Sequence, residues 1–116
     1  MLTIYHNPRC RKSREAVAYL ETQNIPFEII NYYDHPFDAS TLQTVLDRCG
    51  LAPSQILRKQ EALWKSDYKG KTWTESQLLQ LLVQHPQLIE RPLVVSEQKG
   101  VLARPLENLV EWVAKK

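Results

Sequence analysis

Cysteine is scarce in this 116-residue chain: Cys10 and Cys49 stand alone. No Cys-x-x-Cys and no matching histidine pair accompanies them, which argues against zinc or any other bound metal. Long apolar runs are also missing. Nothing approaches the ~18 continuous apolar residues of a membrane span, and Met1-Leu2-Thr3-Ile4-Tyr5 reaches His6 and Asn7 before an apolar region develops, unlike a signal peptide or anchor. Nor does one sign of charge dominate. With 15 Lys and Arg against 13 Asp and Glu, the net charge is +2, which supports neither nucleic-acid nor membrane-surface binding. A soluble cytoplasmic protein is expected, with both cysteines as free thiols. Repeats, low-complexity tracts and linkers are absent too. A hydrophobic content of 43% and a charged content of 24% are those of an ordinary globular chain, and 116 residues suffice for one core. One domain over 1–116 is the expectation.

What is present has a clear order. Residues 2–5 are short, β-branched and aromatic, and His6-Asn7-Pro8 bounds them as a turn bounds a strand. From Lys12 the spacing of Ala16, Val17, Tyr19 and Leu20 predicts a helix that ends near Asn24. Pro26 restarts the chain in extended geometry, and 27–32 predicts a second strand. Ser40 reads as the cap of an amphipathic helix through Leu42, Val45, Leu46 and Cys49, stopped by Gly50. Pro53-Ser54 opens a short helix, 60–73 lacks periodicity, and Thr74 with Gln77 caps a strong helix closed by Pro86.

Two apolar runs, 88–95 and 101–104, flank a glycine-bearing turn and predict a β-hairpin. Pro105 starts a last helix, with Leu106, Leu109, Val110 and Val113 in one stripe and Lys115 and Lys116 at its end. The whole is an α/β fold: β-α-β, a helical insertion over about 38–86, then β-β-α, a mixed sheet flanked by helices. That is the layout of a thioredoxin-like fold. Its β-α-β crossover makes the first two strands parallel, and functional groups collect beyond the C-terminal ends of such strands.

Cys10 lies there, where a strand passes through a turn into a helix. A helix N-terminus offers unpaired N–H groups and about half a positive charge, and Arg9, Arg11, Lys12 and Arg14 act in the same direction. A thiol of pKa ~8.5 falls to roughly 3.5–7.5 in such surroundings. A lone cysteine is often just a small buried hydrophobe, but polar and basic neighbours are poor company for a core position. Cys10 is therefore expected to be an ionised nucleophile. Cys49, at the end of a helical pattern, is open to two roles, packing or resolving thiol.

Arginines supply the second half of the site. Arg58 follows a short helix, and the predicted hairpin brings Arg91 and Arg104 near one end of the sheet. Planar guanidinium groups hold tetrahedral oxyanions in a way that lysine does not. A thiolate facing them describes a site where sulfur attacks the central atom of an oxyanion. His6 is open to two readings, a turn histidine bonded to backbone or a neighbour that polarises the thiol or holds a water. Ser13 stands where a Cys-x-x-Cys motif has its second cysteine, so no local disulfide can form and electrons must come from elsewhere. Its hydroxyl is available to the thiolate or to the first helical turn. Arg91-Pro92 is a place where a cis peptide would bring backbone close to the sulfur.

His6-Asn7-Pro8-x-Cys10-x-x-Ser13-Arg14, Leu57-Arg58-Lys59, His85-Pro86 through Arg91-Pro92-Leu93-Val94-Val95, and Arg104-Pro105 resemble the glutaredoxin-linked arsenate reductases over nearly the whole chain. The resemblance implies a thioredoxin-like oxidoreductase converting arsenate to arsenite, with no bound cofactor, glutathione as electron donor and glutaredoxin as partner. It implies Cys10 as nucleophile, His6 beside it lowering its pKa, Arg58, Arg91 and Arg104 binding the oxyanion, Ser13 and Arg14 in support, and a cis bond at Pro92. A monomer is expected. Arg11 and Lys12 depart from the small uncharged residues of the best-known members, and the chain ends sooner after its last helix than theirs. Two other functions compete: a thiol oxidoreductase that removes glutathione from proteins, and a thiol-stress regulator that binds RNA polymerase. The absence of Cys-x-x-Cys weighs against the regulator.

Overall fold

In the computed structural model, residues 1–115 are described; Lys116, expected beside Lys115 at the end of the last helix, lies outside the described residues. The elements are β1 (Leu2–His6), α1 (Arg11–Thr22), β2 (Phe27–Asn31), α2 (Ala39–Cys49), α3 (Glu75–Gln84), β3 (Leu93–Val95), β4 (Gly100–Leu102) and α4 (Leu106–Ala114). Short helical turns at Pro53–Ile56, Trp64–Tyr68 and Pro86–Leu88 join α2, α3 and β3. Among the described residues the strands form one sheet in the order β2-β1-β3-β4. β1 runs parallel to β2, with His6 opposite Asn31, and antiparallel to β3, with Tyr5 opposite Leu93. β3 and β4 form the expected hairpin, with Leu93 opposite Leu102. No helix among the described residues is long and apolar enough to cross a membrane.

Alternation along the strands divides the core in two. Leu2, Ile4 and Val94 point to one face, where Ala16 and Leu20 of α1 and Leu109 of α4 pack. Tyr5, Leu93 and Val95 point to the other, against Leu42, Val45 and Leu46 of α2 and Leu78 to Leu82 of α3. Full burial of each leucine-sized side chain is worth roughly 1.5–3 kcal/mol, so each helix is held by its apolar stripe more than by intrinsic propensity. The stripe of α4 is narrower than its sequence suggests. Val110 is 38% exposed, whereas Leu106, Trp112 and Val113 lean on the core.

Local chemistry explains where elements begin and end. Asp38, not Ser40, is the cap of α2: its Oδ1 accepts from the Thr41 N–H at 2.7 Å, so the helix starts at Ala39 with Ser40 already inside its first turn. Gly50 ends the helix in the left-handed region at φ 68°. Thr74 and Gln77 form the expected reciprocal cap of α3. The region 60–73 has order that periodicity does not show. Its Trp64–Tyr68 turn is π-helical, and Trp64, Tyr68 and Trp73 pack their rings together, with the Trp73 indole N–H donating to the Tyr68 carbonyl at 3.1 Å.

Gly100 belongs to strand β4 and not to the turn, contrary to its expected place, because its missing side chain is what lets α2 approach. A Cβ there would lie 2.8 Å from Cys49 Sγ, 2.8 Å from Val95 Cγ1 and 3.0 Å from the Val94 carbonyl. Gly100→Ala should lower stability by about 1–3 kcal/mol, the usual penalty for overpacking. Adding Cys49→Ala should recover part of it, measured by urea denaturation. Equal stability of Gly100→Ala and the wild type would contradict the packing described.

Candidate active site

The loop leaving β1 is short because its residues bond to one another. Asn7 Oδ1 accepts from the Arg9 N–H at 3.0 Å, the Asn7 carbonyl accepts from the Cys10 N–H at 2.9 Å, and the Asn7 N–H donates to Ser13 Oγ at 3.3 Å. Arg14 Nη1 donates to the Pro8 carbonyl at 3.2 Å. Ser13 is fully buried, and its hydroxyl therefore serves the loop, not the thiol. Arg14 has a similar bracing position. Cys10 is the residue that precedes α1, in extended geometry at φ −93° and ψ 123°.

Burial opposes ionisation of that sulfur, but the Ser13 N–H, the Arg91 guanidinium and the Lys12 N–H outweigh it and bring the thiol from 9.0 down to about 7. Both main-chain donors belong to the first turn of α1, where N–H groups have no partner within the helix. Arg91 answers in kind. Burial lowers its pKa, and Cys10, Tyr32 and Tyr33 more than offset this, so it remains a cation. The Nε and Nη1 atoms of Arg91 are buried without a hydrogen-bond partner, which leaves strong donors unsatisfied on the residue that acts on the thiol. The Arg91-Pro92 bond is cis, as expected, and so is Arg104-Pro105, which was not.

The three arginines do not meet the sulfur equally. Arg91 faces Cys10 directly, whereas Arg58 and Arg104 are gathered by Glu90. Glu90 lies 3.7 Å from Arg58 Nε through one oxygen and 3.3 Å from Arg104 Nε through the other. Arg58 Nη1 also lies 3.5 Å from Glu61. The backbone holds this arrangement, since the Arg58 N–H donates to the Leu88 carbonyl at 2.8 Å and the Glu90 N–H to the Ile56 carbonyl at 2.7 Å. Arg58 and Arg104 are thus held by carboxylates, and of the three arginines it is Arg91 that lowers the Cys10 pKa.

His6 is buried at the end of β1, and its Nδ1 bonds to neither backbone nor side chain. Burial first, and then the charge of Arg14, lower its pKa, so it is neutral at pH 7. The groups that lower the Cys10 pKa are the main-chain donors and Arg91. Cys49 is remote. Its sulfur packs against Gly100 and Val95, and Val95 pairs with Thr3, toward the end of β1 opposite the one that leads to Cys10. Burial pushes the Cys49 thiol up to about 11, which suits packing and not resolution of a disulfide at Cys10.

Two residues beside the site escaped the sequence. Tyr32 follows the last residue of β2, is 1% exposed, and has a hydroxyl without a hydrogen-bond partner; its position just past a parallel strand was the available signal. Glu90 carries no pattern of its own. A cleft of about 580 Å³ runs beside the Cys10 loop, lined by Asn7, Pro8, Arg9, Asn31, Tyr33 and Asp34.

Comparison with known proteins shows what the sequence and the fold resemble. The sequence model of the ArsC family matches residues 5–111. An arsenate reductase of Neisseria meningitidis serogroup A is 37% identical over 110 residues, 93% of this chain and 94% of that protein. The uncharacterized protein YfgD of Escherichia coli K12 is 38% identical over 112 residues, 95% of this chain and 94% of that one. The structure of an arsenate reductase from Vibrio cholerae superposes with a TM-score of 0.88 at 35% identity, over 95% of each chain.

The thiolate makes a pH prediction. Alkylation of Cys10 by iodoacetamide should rise with a midpoint near pH 7, and Arg91→Ala should move that midpoint upward by about one pH unit, since an opposite charge at contact lowers a pKa by about 1–3. An unmoved midpoint would remove Arg91 from its role. Because folding favours the thiolate, the stability contributed by Cys10 is fully present above about 9 and disappears as pH falls through about 7. Wild type should therefore lose more stability over that interval than Cys10→Ala in thermal melts.

Proposed function

The chain belongs to the ArsC family, of arsenate-reductase-like proteins with the thioredoxin-like fold, and on that premise we propose that it reduces arsenate to arsenite with glutathione and glutaredoxin. The observation that supports this most is the Cys10 thiolate at a helix N-terminus beside Arg91, whose buried N–H groups lack partners. An oxyanion provides acceptors for those donors and brings an electrophilic atom to the sulfur. Lowered nucleophile pKa and preset donors are the two contributions such a site makes to the reaction.

The steps balance as follows. The Cys10 thiolate attacks arsenic, and the bond from arsenic to one hydroxyl breaks, that hydroxyl leaving as water with a proton taken from solvent. A glutathione thiolate then attacks the Cys10 sulfur; arsenic leaves as arsenite with the electron pair of its bond to sulfur, and a Cys10–glutathione disulfide forms. Glutaredoxin resolves that disulfide and restores Cys10. Outside thiols are required because Ser13 occupies the local position and Cys49 packs toward the far end of β1. In this reading Arg58 and Arg104 complete the oxyanion site, and Ser13, Arg14 and Pro92 brace it.

One observation favours a second reading. Glu90 already neutralises part of the charge on Arg58 and Arg104, which suits a substrate less charged than arsenate, such as the mixed disulfide of a glutathionylated protein. Cys10→Ser should abolish arsenate-dependent NADPH oxidation in an assay coupled through glutaredoxin, glutathione and glutathione reductase. Undiminished turnover would end the mechanism. A wild-type protein inactive on arsenate but active on a glutathionylated peptide would select the second reading.

A further inference from the structure

Tyr32 poses a problem of cost. Its ring packs 5.7 Å from Phe37 and 5.1 Å from Tyr33, centroid to centroid, and a phenylalanine would fill the same space. The hydroxyl adds a buried polar group with no hydrogen-bond partner, and such a group is destabilising by about 1–3 kcal/mol. A protein core gains nothing from it.

The surroundings show what the hydroxyl faces. Tyr32 directly follows Asn31, which pairs with His6 at the end of β1, and the chain after His6 leads to Cys10. Burial keeps the phenol protonated, Arg91 lies against it, and the charge of Cys10 reaches it. A guanidinium carries donors only. Arg91 can therefore use the phenolic oxygen as an acceptor but cannot receive the phenolic proton. That proton needs an acceptor: of the groups that act on the phenol, Arg91 has none, and neither Tyr33 nor the Cys10 sulfur takes it, since the hydroxyl has no hydrogen-bond partner.

We propose that Tyr32 is a substrate-binding residue, whose O–H donates to an oxygen of the anion that Arg91 holds and Cys10 attacks. This rests on the oxyanion site of the reading above and adds a neutral donor to it. As a neutral donor, the phenol binds an oxyanion oxygen without adding charge. It also discriminates by chemistry: a guest with an oxygen acceptor satisfies it, and an apolar or donor-only guest leaves it unpaired.

Tyr32→Phe removes the hydroxyl and keeps the ring. Sulfate, which is tetrahedral and is not reduced here, serves as the probe, read by its protection of Cys10 from iodoacetamide. Tyr32→Phe should need about 10- to 100-fold more sulfate for half-protection, the size expected of one hydrogen bond to a charged group. Its melting temperature should equal or exceed that of wild type, and its Cys10 alkylation midpoint should stay near that of wild type. Equal sulfate requirements would overturn the proposal. So would a shifted alkylation midpoint with unchanged sulfate affinity, which would make Tyr32 a support for Arg91, and so would a wild type that sulfate does not protect. A wild type that sulfate protects through Tyr32 but that turns over no arsenate would keep this inference and reject arsenate as substrate.

Discussion

A negative charge on a half-buried sulfur requires donors that are already in place, and in this protein they come from two distant parts of the chain. The first turn of α1 provides main-chain N–H groups, and Arg91, more than 80 residues later, provides a guanidinium. The rest of the fold meets that requirement. β1 ends at His6 so that a tightly bonded loop can deliver Cys10 to the helix, and the pairing of Leu93 with Tyr5 brings the residues before β3 alongside. Buried Ser13 ties the loop to the helix by accepting from Asn7.

The cost of this arrangement is visible at its edge. Glu90 gathers two of the arginines, with one oxygen 3.7 Å from Arg58 Nε and the other 3.3 Å from Arg104 Nε. Arg58 is further held by Glu61. Arg91 has no such counter-ion and turns to the thiolate. The three cations are thus committed differently, one to the nucleophile and two to a carboxylate. His6 is neutral, and the hydrogen bonds of the helix N-terminus and Arg91 are what favour ionisation of Cys10.

Separation of the two thiols is equally a property of the sheet. β1 pairs with β3 over three residues, with Thr3 at one end and Tyr5 at the other. Cys49 rests against the strand pair near Thr3, and Cys10 follows the opposite end. The nearest replacement for an internal partner, Ser13, has no sulfur. Neither Cys49 nor Ser13 can therefore form a disulfide with Cys10 in this arrangement.

Features governed by neighbours in sequence were legible in the sequence. Strand alternation, the reciprocal cap at Thr74, the left-handed stop at Gly50 and the thiol ahead of a helix all depend on residues within about one turn of one another. Asp38 displaced Ser40 as a cap because both types satisfy the same orphan donors, and backbone geometry chose between them. Tertiary packing alone decided that Gly100 makes room for Cys49, that 60–73 is ordered by three aromatic rings, that Glu90 pairs Arg58 with Arg104, and that the Tyr32 hydroxyl faces Arg91. Local hydrogen bonding and periodicity leave a trace in the order of residues, whereas packing and charge pairing depend on which distant segments come together, and that is set only when the sheet closes.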